Sequence, residues 1–349
     1  MKKYIFSKSF FIIAIILLAP VIFAKVYSLF TFPAVSDNNY KQLQKINARQ
    51  TQFSFALFGD NKNSHKVFET LIDSLNHDPD LSFALDLGDL VYDGEKGKYR
   101  WFLEQIARSK IPFLTVVGNH DIREDGRTNY YNIFGPFYYS FHVGNAFFIA
   151  LDDANEVQLE ASQMHWLKKQ LMMSDTFKYK FILLHVPLFD PRTKAVAKPL
   201  FSIPVIREYE FHHSLGNKQQ VKELIALFEK HKVTHIYASH IHALYEGTWG
   251  QIPFTITGGA GAELIGNHPK HDFYHYLKIT VSENDIRQKI VNLSTPDFEF
   301  VDRLTHDLWI YVYSFFAIHF LDAIILLVLI YLGGYLIVAK NRHKTGPDG

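Results

Sequence analysis

The chain has 349 residues, a formal net charge of +1, 31 Phe, 19 Tyr and no Cys. That length holds one large or two ordinary domains with a sizeable core. The composition excludes disulfides and any cysteine nucleophile or ligand. Its balanced charge, with no basic block outside the two ends, argues against a nucleic-acid-binding surface.

From Phe10 to Ala24, "FFIIAIILLAPVIFA" runs without a charge behind Lys2, Lys3 and Lys8. Two readings fit: an uncleaved anchor, and a signal peptide cut after Ile22-Phe23-Ala24, which is a poor small-x-small site. The anchor or signal-anchor is the expectation for residues 1–32. Residues 33–52 are polar and read as a linker with a turn or two of helix. Residues 53–292 read as one domain, with strands expected at 53–58, 81–87, 112–117, 137–142, 146–151, 179–184, 233–238, 244–249, 253–257, 273–281 and 286–291. Helices are expected at 64–76, 97–109, 160–173 and 217–231, the last opening on Asn217 as N-cap with Val221, Leu224, Ile225 and Phe228 on one face. Strand–helix alternation followed by hairpin-like strands implies a mixed α/β sandwich. The stretch Pro187 to Gly216 holds four prolines and no clear period, and a loop this long inside a domain is usually functional.

Beyond a second linker at 293–307, residues 308–339 form the clearer membrane segment. Between Asp322 and Lys340 lie seventeen uncharged, mostly apolar residues. A spanning helix is expected near Tyr311 to Val338, followed by a basic tail at 340–349. Basic residues outside both apolar segments place both termini in the cytoplasm and the central domain on the periplasmic or extracellular side. Asp322 has two readings: a functional intramembrane charge, paired with His319 one turn earlier, or an interfacial residue touching water. The second is the expectation.

The chemistry gathers at the strand tips. "FALFGD" delivers Asp60, "LSFALDLGD" delivers Asp89, and "IPFLTVVGNHD" delivers Asn119, His120 and Asp121. "YKFILLH" then gives His185, and "VTHIYASHIH" gives His240 and His242. In open α/β sheets, sites assemble beyond the carboxyl ends of strands, so these residues converge. A mixed set of Asp, Asn and His is one that Zn, Mn and Fe accept.

These residues resemble the calcineurin-like metallophosphoesterase superfamily, through Gly59-Asp60, Gly88-Asp89, "GNHD" at Gly118 to Asp121, His185, and "SHIH" at Ser239 to His242, over about Phe53 to Val291. The resemblance implies a four-layered α/β/β/α sandwich holding two divalent or trivalent metals, Mn, Fe or Zn. It implies that Asp89 bridges them, that Asp60 and His242 bind the first, and that Asn119, His185 and His240 bind the second. It makes His120 the residue that contacts the phosphate and protonates the leaving group, with Asp121 orienting it. The implied function is a membrane-anchored hydrolase of a phosphomonoester or phosphodiester, attacked by a metal-bound hydroxide. The alternatives are an impaired member that acts as a binding protein, and a nuclease of the same superfamily.

Two departures stand out. Ser239 replaces the usual glycine before His240, a change expected to affect backbone freedom only. Lys62 stands where the family has His two residues after the first Asp. An ammonium has no lone pair, so the first metal is one protein ligand short. Tyr92, in a "GDLVY" that matches the GDxxY of purple acid phosphatases, is one candidate to fill that position, and water is another. Lys62 itself could bind substrate phosphate or a nearby carboxylate, and His212 and His213 could reach the substrate. The glycines of "TITGGAGAEL" bring backbone close to the site.

Overall fold

The computed structural model describes residues 8–30, 37–192, 213–266, 268–293 and 314–344. The chain divides into two compact units, one formed by Met1–Ala34 with Tyr311–Gly349 and the other by Val35–Ile310.

The larger unit holds two sheets. The first has strand order β11-β10-β1-β2-β3: β1 (Phe53–Phe58), β2 (Leu81–Asp86), β3 (Phe113–Thr115), β10 (His275–Val281) and β11 (Ile286–Asn292). β1, β2 and β3 run parallel, while β10 and β11 complete the sheet antiparallel. The second has order β4-β5-β6-β7-β9-β8: β4 (Tyr139–Val143), β5 (Ala146–Ala150), β6 (Tyr179–Leu183), β7 (His235–Ala238), β8 (Leu244–Trp249) and β9 (Ile252–Thr257). Its centre, from β5 through β6 and β7 to β9, is parallel.

Alternation along each strand sends every second side chain between the sheets. Phe53, Phe55, Leu57, Phe83 and Leu85 meet Phe148, Phe181, Leu183 and Tyr237 there. Phe55 stacks on Phe83 with centroids 5.2 Å apart and meets the edge of Phe148 at 5.3 Å. The other face of β1 carries Phe58, which packs edge-on to Phe68 of α3 (Lys66–His77). Phe68 in turn stacks on Phe102 of α4 (Lys96–Ile106). The outer face of the second sheet, with Ile149, Ile182 and Ile236, is covered by Leu167 and Leu171 of α6 (Ala161–Ser174) and Val221, Leu224 and Phe228 of α7 (Lys218–Lys230). Helices therefore flank two sheets that share an aromatic core. Both faces of the central strands are covered, which is why β1, β5 and β6 are buried along their whole length and mostly apolar.

The turn or two of helix expected within 33–52 is α2 (Asn38–Leu43), and Asn39 docks that helix on the core by exchanging hydrogen bonds with the Thr115 backbone, 3.1 Å to its carbonyl and 3.0 Å from its N–H. α5 (Gly126–Phe134) was not expected as a helix; it buries Tyr130, Ile133 and Phe134 together with Gly126 and Asn129.

The smaller unit is a helix pair, α1 (Lys8–Phe30) and α8 (Ser314–Lys344). Each contains an apolar window long enough to cross a membrane, Ser9–Tyr27 and His319–Val338, with mean hydropathy 2.6 and 2.5. The helices run antiparallel. Phe11 stacks on Tyr335 at 4.5 Å near one end, and Lys25 pairs with Asp322 at 2.8 Å near the other. His319 Nδ1 lies 3.3 Å from the same carboxylate. The acid inside the apolar segment thus has two partners, and one of them comes from the other helix.

Candidate metal centre

Strand tips and tight turns position the site. Asp60, Asp89 and His240 all follow parallel strands in the left-handed backbone region, at φ 61°, 56° and 67°. Non-glycine residues adopt that region rarely, and where they do the surroundings hold them there. The turn after β2 depends on Gly88 at φ 100°, where a Cβ would stand 2.7 Å from the Gly118 nitrogen and 2.9 Å from His185 Nδ1. The glycine-rich loop after β9 closes on the first turn as expected. Ala262 N–H donates to the Asp60 carbonyl at 2.7 Å, and a Cβ at Gly258 would lie 2.6 Å from Asp60 Oδ2.

The residues expected at the second metal position converge. His185 Nε2 lies 3.0 Å from Asn119 Oδ1, 3.2 Å from Asp89 Oδ1 and 3.3 Å from His240 Nδ1. Asn119 Oδ1 is also 3.1 Å from His240 Nδ1. Ligands about 2.0–2.1 Å from one tetrahedral ion stand about 3.4 Å apart, so this donor set fits a metal. His185 donates Nδ1–H to the Leu87 carbonyl at 2.9 Å, which leaves Nε2 for the centre of the cage. Burial opposes a charge on His185, yet the Asp89 carboxylate, with Asp60 and Asp153 behind it, raises its pKa to about 10. Asp60, Asp89 and His185 together form a buried group able to hold a metal ion.

Asp89 faces two ways. Oδ1 accepts from His120 N–H at 2.9 Å on the His185 side, and Oδ2 lies 3.6 Å from Lys62 Nζ on the other. Burial works against its charge, but His185 first, then His120 and Lys62, hold its pKa well below the usual carboxylate range. On the Asp60 side, Oδ2 accepts from His240 N–H at 2.7 Å and from the Ser239 hydroxyl, while Oδ1 is buried without a hydrogen bond, 3.5 Å from His242 Nε2. Ser239 therefore does more than change backbone freedom, because its hydroxyl holds the first carboxylate. His242 donates Nδ1–H to the Glu263 carbonyl at 2.6 Å, and its Nε2 lone pair meets Lys62 Nζ at 3.0 Å. The donor set on this side does not fit a metal as arranged, since a group with no lone pair is the partner of His242.

His120 lies at the rim with its side chain 12 % exposed, Nε2 3.9 Å from Asp89 Oδ2. Its Nδ1 stands between the Tyr92 carbonyl at 2.6 Å, which can only accept, and Arg123 Nη1 at 2.8 Å, which can only donate. Burial is the main reason its pKa falls to about 4, and Lys62 and Arg123 add to that against the pull of Asp89. Asp121 does not orient this ring. Its carboxylate accepts from Gly118 N–H at 2.8 Å, Asp89 N–H at 3.0 Å and Val91 N–H at 3.1 Å, and so pins the two loops that carry Asp89 and Asn119. The physical reason is burial: a carboxylate with no exposure satisfies itself on the nearest N–H groups. The Tyr92 ring packs on His120, centroids 5.5 Å apart. The ring of His213 lies beside that of His240 at 5.2 Å. His212, and residues 193–212 of the proline-rich loop, lie outside the described residues.

Asp153 escaped the sequence reading. Its carboxylate accepts from His185 N–H at 3.1 Å and Val186 N–H at 2.9 Å, holding the turn that presents His185. It sits just beyond β5, so the rule that flagged the other strand tips would have found it.

The calcineurin-like phosphoesterase family model matches residues 53–244, more than half of the chain. The chain belongs to that family of phosphoester hydrolases. It is similar to a probable cyclic nucleotide phosphodiesterase of Moraxella catarrhalis, 40% identical over 63 residues, which are 18% of this chain and 22% of that protein. It is 24% identical over 217 residues to a probable cyclic nucleotide phosphodiesterase of Rhodopseudomonas palustris, covering 56% of this chain and 73% of that one. In fold it is similar to the purple acid phosphatase PPD1 from yellow lupin (Lupinus luteus) seeds, with TM-score 0.52 and 16% identity over 70% of this chain and 52% of that one. The matches thus span less than a quarter of the first relative and about half of the lupin enzyme.

Proposed function

We propose that the chain hydrolyses phosphoesters, phosphodiesters foremost, with a metal held by Asp89, Asn119, His185 and His240. The observation that carries this reading is the cage of donor atoms 3.0–3.3 Å apart around His185 Nε2. The names of two relatives, both cyclic nucleotide phosphodiesterases, favour the diester class. Those four residues would hold Mn, Fe or Zn, which would draw charge from a phosphoryl group and lower the pKa of water.

The chain's own residues supply the rest. Asp89 Oδ2 and Lys62 Nζ border the phosphoryl position on one side, and His120 on the other. His120 is neutral in the resting site, with Nε2 3.9 Å from Asp89 Oδ2. A phosphoryl anion beside the ring favours its protonated form, and Nε2–H is then the donor to the departing oxygen. His120→Ala is expected to keep its metal and lose most turnover of a diester with a poor leaving group, with a smaller loss on bis(p-nitrophenyl) phosphate. Equal losses on both substrates would remove His120 from the acid role.

The same reading places the domain, residues 53–292, on the outer side of a membrane between segments 1–32 and 308–339, with linkers at 33–52 and 293–307. It rests on two antiparallel apolar helices whose outward faces expose Ile16, Phe23, Leu327 and Ile330, and on the basic residues beyond them. An alkaline phosphatase fusion after Lys344 is expected to be inactive in a bacterial host and a fluorescent protein at that position bright. The reverse pattern would invert the topology.

A further inference from the structure

Lys62 stands 4 % exposed in a site built for cations. Its backbone leaves it little choice. Lys62 N–H donates to the Asp89 carbonyl at 2.9 Å and Asn63 N–H to Leu90 at 3.3 Å, and the turn holds Lys62 and Asn63 at φ 44° and 58°. The stem is thereby aimed between β1 and β2, and its ammonium arrives 3.0 Å from His242 Nε2 and 3.6 Å from Asp89 Oδ2. The hydrogen bond from His242 Nδ1–H to Glu263 fixes Nε2 as an acceptor, and an ammonium offers three donors and no lone pair. The ammonium therefore competes with a metal for His242 and for the second oxygen of Asp89. A buried ammonium and a divalent ion beside the same two groups repel each other across a poorly screened interior.

We propose that the Lys62 ammonium takes the place of the first metal, so that this chain holds one metal, at Asp89, Asn119, His185 and His240, and provides the second positive charge from its own side chain. This rests on the metallophosphoesterase reading above. The family depends on two metals, and here one of the two charges is covalently attached. The phosphoryl group then meets a metal on one flank and an ammonium on the other, at the price of one unit of charge. Asp60 keeps its structural bonds to Ser239 and His240, and its buried Oδ1 marks where a metal would anchor if Lys62 were withdrawn.

The test is metal content of the full chain, purified in detergent, loaded with Mn(II) and freed of excess. Mass spectrometry counts the ions, and electron paramagnetic resonance shows whether they are isolated or spin-coupled. The wild type is expected to hold one isolated Mn(II), lost in His185→Ala. Lys62→His is expected to hold two coupled ions. Lys62→Met, which keeps the stem and removes the charge, serves if the histidine variant fails to fold, and is also expected to gain the second ion. Two coupled ions in the wild type would overturn the proposal and leave the metallophosphoesterase reading standing. One ion in the wild type and in both variants would overturn the role of Lys62. A folded wild type with no bound ion would overturn the metallophosphoesterase reading and this proposal with it.

Discussion

Asp121 shows how far a residue's type can be separated from its task. The sequence marks it as the carboxylate after a histidine, and in the structure it satisfies three backbone N–H groups from two loops. Burial, and then the Asp89 charge, push its pKa up to about 8, while the Gly118 and Val91 N–H groups and the His185 charge favour the ionised form. Asp121→Asn keeps the shape but turns a donor toward a buried N–H, which costs about 1–3 kcal/mol. The variant is expected to unfold at lower temperature and bind metal more weakly, because both loops loosen. A variant with unchanged stability and a shifted pH–rate profile would instead return Asp121 to His120. The ligand-type residues were legible because Asp, Asn and His at strand tips carry their chemistry in their identity. A nearby carboxylate was among the partners expected for Lys62 and is Asp89, but its approach to His242 was not legible, since it follows from a run of left-handed backbone that a lysine side chain does not signal. Ser239 was misread for a related reason: its hydroxyl acts on Asp60, 179 positions away in the chain.

Among the elements, β10 carries a separate pH dependence outside the metal centre. His275 is fully buried, donating Nδ1–H to the Phe273 carbonyl at 2.8 Å with Nε2 beside the Thr257 hydroxyl at 3.0 Å. Burial lowers its pKa to about 4. Between that value and about 6.5 the unfolded chain binds the extra proton and the folded one does not, so stability falls as pH drops through this window. By pH 5 the loss from this one group is about 2 kcal/mol. Thermal melts at pH 7.5 and 5.0 should show a smaller difference for His275→Gln than for the wild type. Equal differences would mean that His275 is protonated in the fold. The strands were readable from their apolar runs because both faces of each central strand are covered. α5 was not, since two of its five buried positions are Gly126 and Asn129, and Asn129 is held by donating to the Gly94 carbonyl at 2.8 Å instead of by apolar contact. α2, expected as a turn or two of helix, is likewise anchored through an amide, that of Asn39.

At the scale of the whole molecule, two parallel strand sets deliver their tips to one place. β1 and β2 of one sheet bring Asp60 and Asp89, and β6 and β7 of the other bring His185 and His240. The shared aromatic core fixes the spacing of the sheets, and the donor atoms meet within hydrogen-bond distance. The order of the strands in each sheet could not be read from the sequence, but the convergence could, because it depends only on where parallel strands end. The central claim is that this convergence is a metal-dependent phosphodiesterase site, and chelation tests it most directly. Hydrolysis of bis(p-nitrophenyl) phosphate by the full chain in detergent should fall at least about a hundredfold after EDTA treatment and gel filtration, matching several kcal/mol of lost charge stabilisation. Mn(II) should restore it in the wild type but not in His185→Ala. Undiminished hydrolysis by metal-free protein, or full restoration in His185→Ala, would contradict the account.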